Sequence, residues 1–405
     1  MGTLPDGEPV PPHGALPPGT LETTERQPFG MYVHVPFCLT RCGYCDFNTY
    51  TAAELAGGVS RASYADLAIK EIRFARRVLG DSDRPVSTVF FGGGTPTVLP
   101  ASDLGKILAA VAAEFGLAND VEATTEANPE TVDERSLSAL RDQGINRVSF
   151  GMQSAVPHVL RVLDRVHTPG RGAQCARWAR AAGFTRVSLD LIYGTPGETD
   201  ADWAHTVEAA LEAGPDHISA YALIVEDGTR LSARIARGEL PPPDDDAMAD
   251  RYAAADDMFG AKGLTWYEVS NWAAGERAIC RHNMLYWTDG DWWGIGPGAH
   301  SHVGGVRWWN VKHPSVYAAR LAGDASPGHA REVLTPQQRV LERVMLRTRL
   351  ASGCPVALLS ARGRAAAGQA VADGLADPAA FGDGRVVLTR RGRLLADGVI
   401  RDLVA

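Results

Sequence analysis

Cys38, Cys42 and Cys45 stand in the spacing C-x3-C-x2-C, directly after a short alternating apolar run. Three thiols on one short loop are donors for a soft metal, which leaves zinc or an iron–sulfur cluster. A structural zinc needs a fourth donor, and His34 in the preceding run is placed to supply it. A cubane cluster held by three cysteines instead leaves one iron open to an exchangeable small molecule. Further along stands Gly92-Gly93-Gly94-Thr95, where the lack of side chains lets backbone groups approach a ligand closely. Glu126, Gln153 and Asp190 offer hydrogen-bonding groups, and Arg165 a cation able to pair with a carboxylate. Each has an ordinary alternative: a surface ion pair for Arg165, a strand-end cap for Asp190, a backbone partner for Gln153.

Residues so far apart in sequence need a scaffold that gathers them. After a proline-rich start, β-rich runs alternate with helical periods. Strands are expected at 31–37, 86–91, 121–126, 147–150, 185–192 and 217–221. Helices are expected between them, the first capped by Ser63 and the second opening at Ser102 and closing at Gly116. Six strands separated by helices require right-handed crossovers and a parallel sheet. A doubly wound sheet satisfies that pattern, and so does a partial barrel. Gly93 to Thr95, Glu126, Gln153 and Asp190 fall at or just after the C-terminal ends of separate strands, the edge where α/β folds bind ligands. Strand ends that converge on one mouth favour an α/β fold of the partial (β/α)6 barrel type. The organisation then reads as a disordered proline-rich tail (1–27), the barrel (28–240), a tryptophan- and glycine-rich extension (241–325) and a small C-terminal α+β domain of winged-helix type (326–405). In that last domain a helix at 337–350 is expected to bury Val340, Leu341, Val344 and Met345.

Of the 405 residues, 45% are hydrophobic and 22% charged, which excludes wholesale disorder. A net charge of −8 argues against a general nucleic-acid binder, and Arg385, Arg390, Arg391 and Arg393 read as a solvated basic face. No apolar run approaches the roughly 20 residues that span a bilayer. The start of the chain carries no targeting signal, so a cytoplasmic location is expected, with the six cysteines as ligands or buried thiols rather than disulfides.

The cysteine loop resembles that of radical S-adenosylmethionine (SAM) proteins. Further pieces follow in order between Phe29 and Ser301: YVHVPFC, FFGGGTPT, EANPE, SFGMQS, LDRVHT, LDLIYGTPGE and GPGAHS. Within that family the chain is similar to the branch containing oxygen-independent coproporphyrinogen III oxidase and a related haem chaperone of HemW type. The resemblance implies a [4Fe–4S] cluster on Cys38, Cys42 and Cys45. It also implies SAM contacts from Tyr32, Tyr44, Gly93, Gly94, Thr95, Glu126, Gln153, Arg165 and Asp190, with Tyr44 either flanking the cofactor or covering the cluster.

Two departures separate the chain from the oxidase. The oxidase pattern has a further cysteine where this chain has Phe47, and Arg281-His282-Asn283-Met284-Leu285-Tyr286-Trp287 matches the chaperone signature HNxxYW. Imidazole is a common axial ligand of haem iron, phenolate a rarer one, and aromatic rings make flat apolar walls. His282 and Tyr286 are thus the expected haem residues, with Cys280, His300 and His302 as alternative ligands. A packed aromatic core with one hydrogen-bonded histidine is the plainer reading of the same residues. The expected function is a haem chaperone that binds haem, a [4Fe–4S] cluster and SAM and passes haem to an acceptor protein. It is expected to act as a homodimer, with no nucleic-acid partner and membrane contact only through the acceptor. The alternative is an oxidase that cleaves SAM and decarboxylates coproporphyrinogen III.

Overall fold

The central strands alternate with a period of two, and both of their faces are buried. Outward residues are apolar: Val148, Phe150 and Met152 on one strand, Val187, Leu189 and Leu191 on the next. They meet helices whose inner stripes carry Leu104, Ile107 and Val111, or Leu137 and Leu140. Inward residues of the same strands are polar. This is the computed structural model of the chain, and it describes residues 7–23, 28–55, 59–80 and 84–405.

In chain order the strands are β1 (Glu8–Pro9), β2 (Phe29–Val35), β3 (Val86–Gly93), β4 (Leu117–Ala127), β5 (Arg147–Gln153), β6 (Arg186–Tyr193) and β7 (His217–Ala222). After them come β8 (Thr265–Glu268), β9 (Asn271–Ala273), β10 (Asp291–Ile295), β11 (His300–Val303), β12 (Val306–Asn310) and β13 (Gly328–Val333). Strands β2 to β7 pair in sequence order and all in parallel, which is the expected barrel core. Helices Arg61–Leu79, Ala101–Phe115, Glu134–Asp142, Arg171–Ala181 and Asp200–Glu212 supply the crossovers. The first is capped by Ser60 rather than Ser63; Ser63 answers as the reciprocal partner three residues on.

The tryptophan-rich extension lengthens the sheet at both edges. Strand β10 pairs in parallel with β2 and leads antiparallel into β11, β12 and β13, while β9 and β8 continue antiparallel from β7. Among the described residues the result is one sheet of thirteen strands. Because β13 belongs to it, the sheet runs past the expected boundary at 326. A second core then forms around Cys354, Leu359, Ala367, Val386 and Leu403, with a two-stranded pair β14 (Cys354–Pro355) and β15 (Arg385–Val386).

Two expectations need correction. Residues 7–23 are not a free tail: β1 pairs with β13, Glu8 and Arg331 meet at 2.6 Å, and Val10 and Leu16 pack on the main core. The segment is too poor in apolar residues to build a core, but it borrows one from the sheet edge. Residues 1–6 and 24–27 of the expected tail lie outside the described residues. In helix Pro336–Arg347, Val344 is buried, whereas Val340, Leu341 and Met345 are 39%, 41% and 37% exposed. That helix docks through arginines instead: Arg339 and Arg343 reach Asp289 at 3.5 and 2.7 Å, and Arg347 donates to the Thr288 carbonyl.

One buried carboxylate ties the first helix to the loop after β10. Glu71 accepts hydrogen bonds from the Gly296 amide (2.7 Å), Asn310 Nδ2 (2.7 Å) and the Tyr317 hydroxyl (2.5 Å). Burial outweighs these donors and pushes its carboxyl up from 4.5 to about 7. A folded-state pKa raised in this way gives stability that is complete below about 4.5 and lost as pH rises through about 7. Melting temperatures measured across that window should fall with pH, and Glu71→Gln should reduce the slope. An unchanged slope would show that Glu71 does not carry it.

Candidate functional site: a polar barrel under a cysteine loop

The cysteine loop is held at both ends by backbone bonds. Tyr50 N donates to Pro36 O (2.7 Å), Cys38 N to Tyr50 O (3.0 Å) and Gly43 N to Leu163 O (3.1 Å). Asn48 clasps it from the side, donating through Nδ2 to the carbonyls of Pro297 (3.0 Å) and Lys312 (2.9 Å) and accepting from Tyr50 Oη (3.1 Å). The GPGAHS motif makes that clasp feasible. At Gly298, φ is +75° and a Cβ would stand 2.7 Å from Asn48 Nδ2, so only glycine lets the two loops meet.

His34 is used up within this clasp. Its Nε2 lies 2.9 Å from Asn48 O and its Nδ1 3.0 Å from the Tyr32 hydroxyl, and burial lowers its pKa. It is therefore not turned to the thiols as a fourth zinc donor. Among the described residues no three Cys, His, Asp or Glu side chains converge on a single-ion site. A polynuclear cluster, with one metal for each thiolate, does not ask for such convergence. The three thiols are half-buried, and burial raises Cys38 and pushes Cys45 up to about 11, so a bound metal is what would make those two thiolates. Arg165 Nη1 donates to Cys42 Sγ at 3.3 Å and Nη2 to Gly151 O at 2.6 Å, which excludes a surface ion pair as its role. Thr95 Oγ1 faces Cys38 Sγ at 3.9 Å. The donor set fits an iron–sulfur cluster.

The expected cluster and SAM residues, with the two expected haem residues, border one cavity of about 760 Å³. Tyr32, Tyr44, Gly93, Gly94, Thr95, Glu126, Gln153, Arg165 and Asp190 line it together with Cys38, Cys42 and Cys45, and so do His282 and Tyr286. Gly93 donates its amide to Glu126 Oε2 (3.1 Å) and has φ +104°, where a Cβ would meet the His34 ring at 2.6 Å. Burial, then the charge of Asp190, pushes Glu126 up to about 8. Ser149 Oγ donates to both oxygens of Asp190, at 2.9 and 3.0 Å. Gln153 sits in the left-handed region at φ 64°, which turns its amide back over Gly151.

Helix Arg281–Trp287 closes the side of the cavity away from the cysteines. His282 is 1% exposed and stacks on Phe90 (5.2 Å, 22°) and Tyr32 (6.3 Å, 29°). Its Nδ1 lies 2.8 Å from Thr88 Oγ1 and its Nε2 2.9 Å from the Tyr286 hydroxyl. Burial lowers its pKa to about 3, so the ring is neutral. Asn283 is fixed by Glu268 Oε1 at 2.6 Å. The signature thus gives His, Asn and Tyr structural partners, two of them on His282, and iron ligation by His282 Nε2 requires Tyr286 to yield. Cys280 lines the cavity, whereas His300 and His302 do not; His300 stacks on Trp309 and His302 bonds Gly290 O. The remaining tryptophans are dispersed, with Trp293 against Trp308 and Trp272 against Phe259. Phe47 stands at the mouth, 63% exposed.

Several lining residues escaped the reading of the sequence: Thr124, Arg147, Ser149, Ser188, His217 and Ser219. Their signal is the period of two. Glu122-x-Thr124-x-Glu126, Arg147-x-Ser149, Ser188-x-Asp190 and His217-x-Ser219 put polar groups at alternate positions of buried strands, and that pattern marks a polar interior. Asn48 was legible only through the motif that it clasps.

Residues 32–210 match the family model described as the radical SAM superfamily. A haem chaperone HemW from Mycobacterium tuberculosis is 53% identical over 93% of this chain and 95% of its own length. Another from Synechocystis is 35% identical over 82% and 80% of the two chains. Among solved structures, the radical SAM enzyme coproporphyrinogen III oxidase (HemN) from Escherichia coli superposes with a TM-score of 0.81 over 95% of this chain and 92% of that one, at 23% identity. At that identity the likeness establishes the fold alone.

Removing the clasp tests the geometry directly. Asn48→Ala deletes both side-chain donors, each worth about 1 kcal/mol. The variant should melt lower and, after anaerobic loading with iron and sulfide, retain less iron than the parent through gel filtration. Equal retention would show that the loop holds its shape without Asn48.

Proposed function

This chain belongs to the HemW family of radical SAM proteins, and from that premise we propose that it is a haem-carrying chaperone. The observation that carries the reading is the placing of His282 and Tyr286 on the wall of the same cavity that the cysteine loop covers. On this reading Cys38, Cys42 and Cys45 hold a [4Fe–4S] cluster, which when bound supplies an open iron and an electron. Arg165 offsets the negative charge of the Cys42 thiolate. Glu126 accepts from the ammonium group of SAM, Asp190 holds ribose hydroxyls, and Tyr32, Tyr44, Gly93, Gly94, Thr95 and Gln153 shape the seat around them.

Haem meets the aromatic wall of Tyr32, Phe90, His282 and Tyr286. Its onward partner is a haem-accepting protein. A homodimer as the carrying form, a cytoplasmic location and membrane contact only through the acceptor belong to the same reading; among the described residues no helix is long and apolar enough to cross a membrane. The second reading, an oxidase of coproporphyrinogen III, has the shared fold in its favour. Phe47 speaks against it, since it puts an exposed ring where the oxidase pattern has a further cysteine.

Anaerobic reconstitution should give about four iron and four sulfide per chain, lost in Cys42→Ala. Haem added to that material should produce a saturable Soret band that is weaker in His282→Ala. Haem binding no greater than that of an unrelated protein would refute the chaperone. Conversion of coproporphyrinogen with SAM and a reductant, abolished by Cys42→Ala, would establish the oxidase instead.

A further inference from the structure

The cavity is deeper than the residues assigned to the cluster and SAM account for. Along β5 its lining runs from Gln153 at the mouth to Arg147 at the floor, six residues or roughly 20 Å at the rise of a strand. The floor is polar. Arg147 is 2% exposed; it bonds Ala278 O at 2.8 Å and otherwise faces Glu122 at 3.7 Å. Glu122 is shared with Arg186 at 4.0 Å, and its Oε2 has no hydrogen-bond partner. Arg186 is partly open to solvent, so Glu122 serves chiefly Arg147, which makes one hydrogen bond within the protein and presents the rest of its guanidinium to the cavity. His217 adds no charge, since Ser188 Oγ (2.7 Å) and Tyr267 Oη (2.8 Å) engage both of its ring nitrogens and burial keeps it neutral. Asp190 stands farther along the same face, toward the mouth, with its oxygens on Ser149. The second observation is Thr124, which lines the same cavity, is 1% exposed and has no hydrogen-bond partner for its hydroxyl.

A buried guanidinium with donors to spare, beside an idle hydroxyl donor, can recognise a carboxylate. Beside it, in register across β2, β3, β4 and β5, stand the flat rings of Tyr32 and Phe90, with His282 stacked on them. Together they suit a flat aromatic ligand that bears an acid on one edge. We propose that Arg147 and Thr124 form a carboxylate subsite at the barrel floor, which anchors one propionate of the haem cargo. This rests on the haem reading given above. Arg165, the other cation of the cavity, stands apart near the mouth against Cys42 and Gly151, so the floor is a separate anion seat.

Ligand chemistry separates the two claims. The reconstituted holoprotein is titrated with haem and with haem dimethyl ester, in which both carboxylates are blocked. Haem should bind the parent about tenfold more tightly than the ester, the worth of one charge-assisted hydrogen bond. Thr124→Val, which deletes no contact within the protein, should narrow that ratio while iron content and SAM binding stay at parental values. Arg147→Gln should erase it. Equal binding of haem and ester by the parent would overturn the subsite and leave the haem reading standing. Binding of neither would overturn the haem reading itself. A full parental ratio in both folded variants would place the carboxylate elsewhere and overturn the assignment.

Discussion

The constraint on which this architecture depends is the polarity of the barrel interior. Glu122, Glu126, Arg147, Arg165 and Asp190 all line or face one enclosed space, and charges in such a place are tolerated only with partners. The strands satisfy them laterally, through Gly93 to Glu126 and Ser149 to Asp190, so the interior stays open rather than collapsing on itself. Most of the apolar burial that stabilises the sheet lies on the outer face, under the helices. Separating the two duties by strand alternation lets the lining vary in chemistry without touching the core.

The cysteine loop illustrates how distant parts of the chain converge on one geometry. Asn48 reaches the glycine loop after β10; that loop is held by Glu71 on the first helix; and His34 carries the contact on to Tyr32 at the cavity wall. Residues at 34, 48, 71 and 297 thereby share one hydrogen-bonded path. The extension that reads as an appendage to the barrel is part of its cysteine-bearing end, because β10 pairs with β2.

Much of this was legible in the residues themselves. The order and parallel pairing of β2 to β7 followed from alternating periods, and the residues expected at the strand ends reached one cavity because strand C-termini in such folds point to one side. The missed features share a cause, in that they depend on partners remote in sequence. Residues 7–23 find their apolar surface on β13, and helix Pro336–Arg347 docks by ion pairs to Asp289, neither of which a local pattern reveals. The polar floor is different. Arg147, Ser188 and His217 stand two residues before Ser149, Asp190 and Ser219, at the beginnings of strands, whereas the ligand-binding edge of such folds is at the strand ends.

The two outer margins of the sheet have a bearing on how the molecule meets others. On one side the short strand Glu8–Pro9 lies along β13 and ends the ladder with a residue that has no amide hydrogen to offer. On the other, β8 is covered by the start of the C-terminal module, where Ala351 N donates to Tyr267 O. Among the described residues one margin is thus short and ends in proline and the other is covered, which disfavours strand-on-strand docking or fibrous stacking. Recognition of another polypeptide, whether a like copy or a recipient of cargo, is therefore left to side chains on loops and helices, where it can be made and broken without disturbing the scaffold.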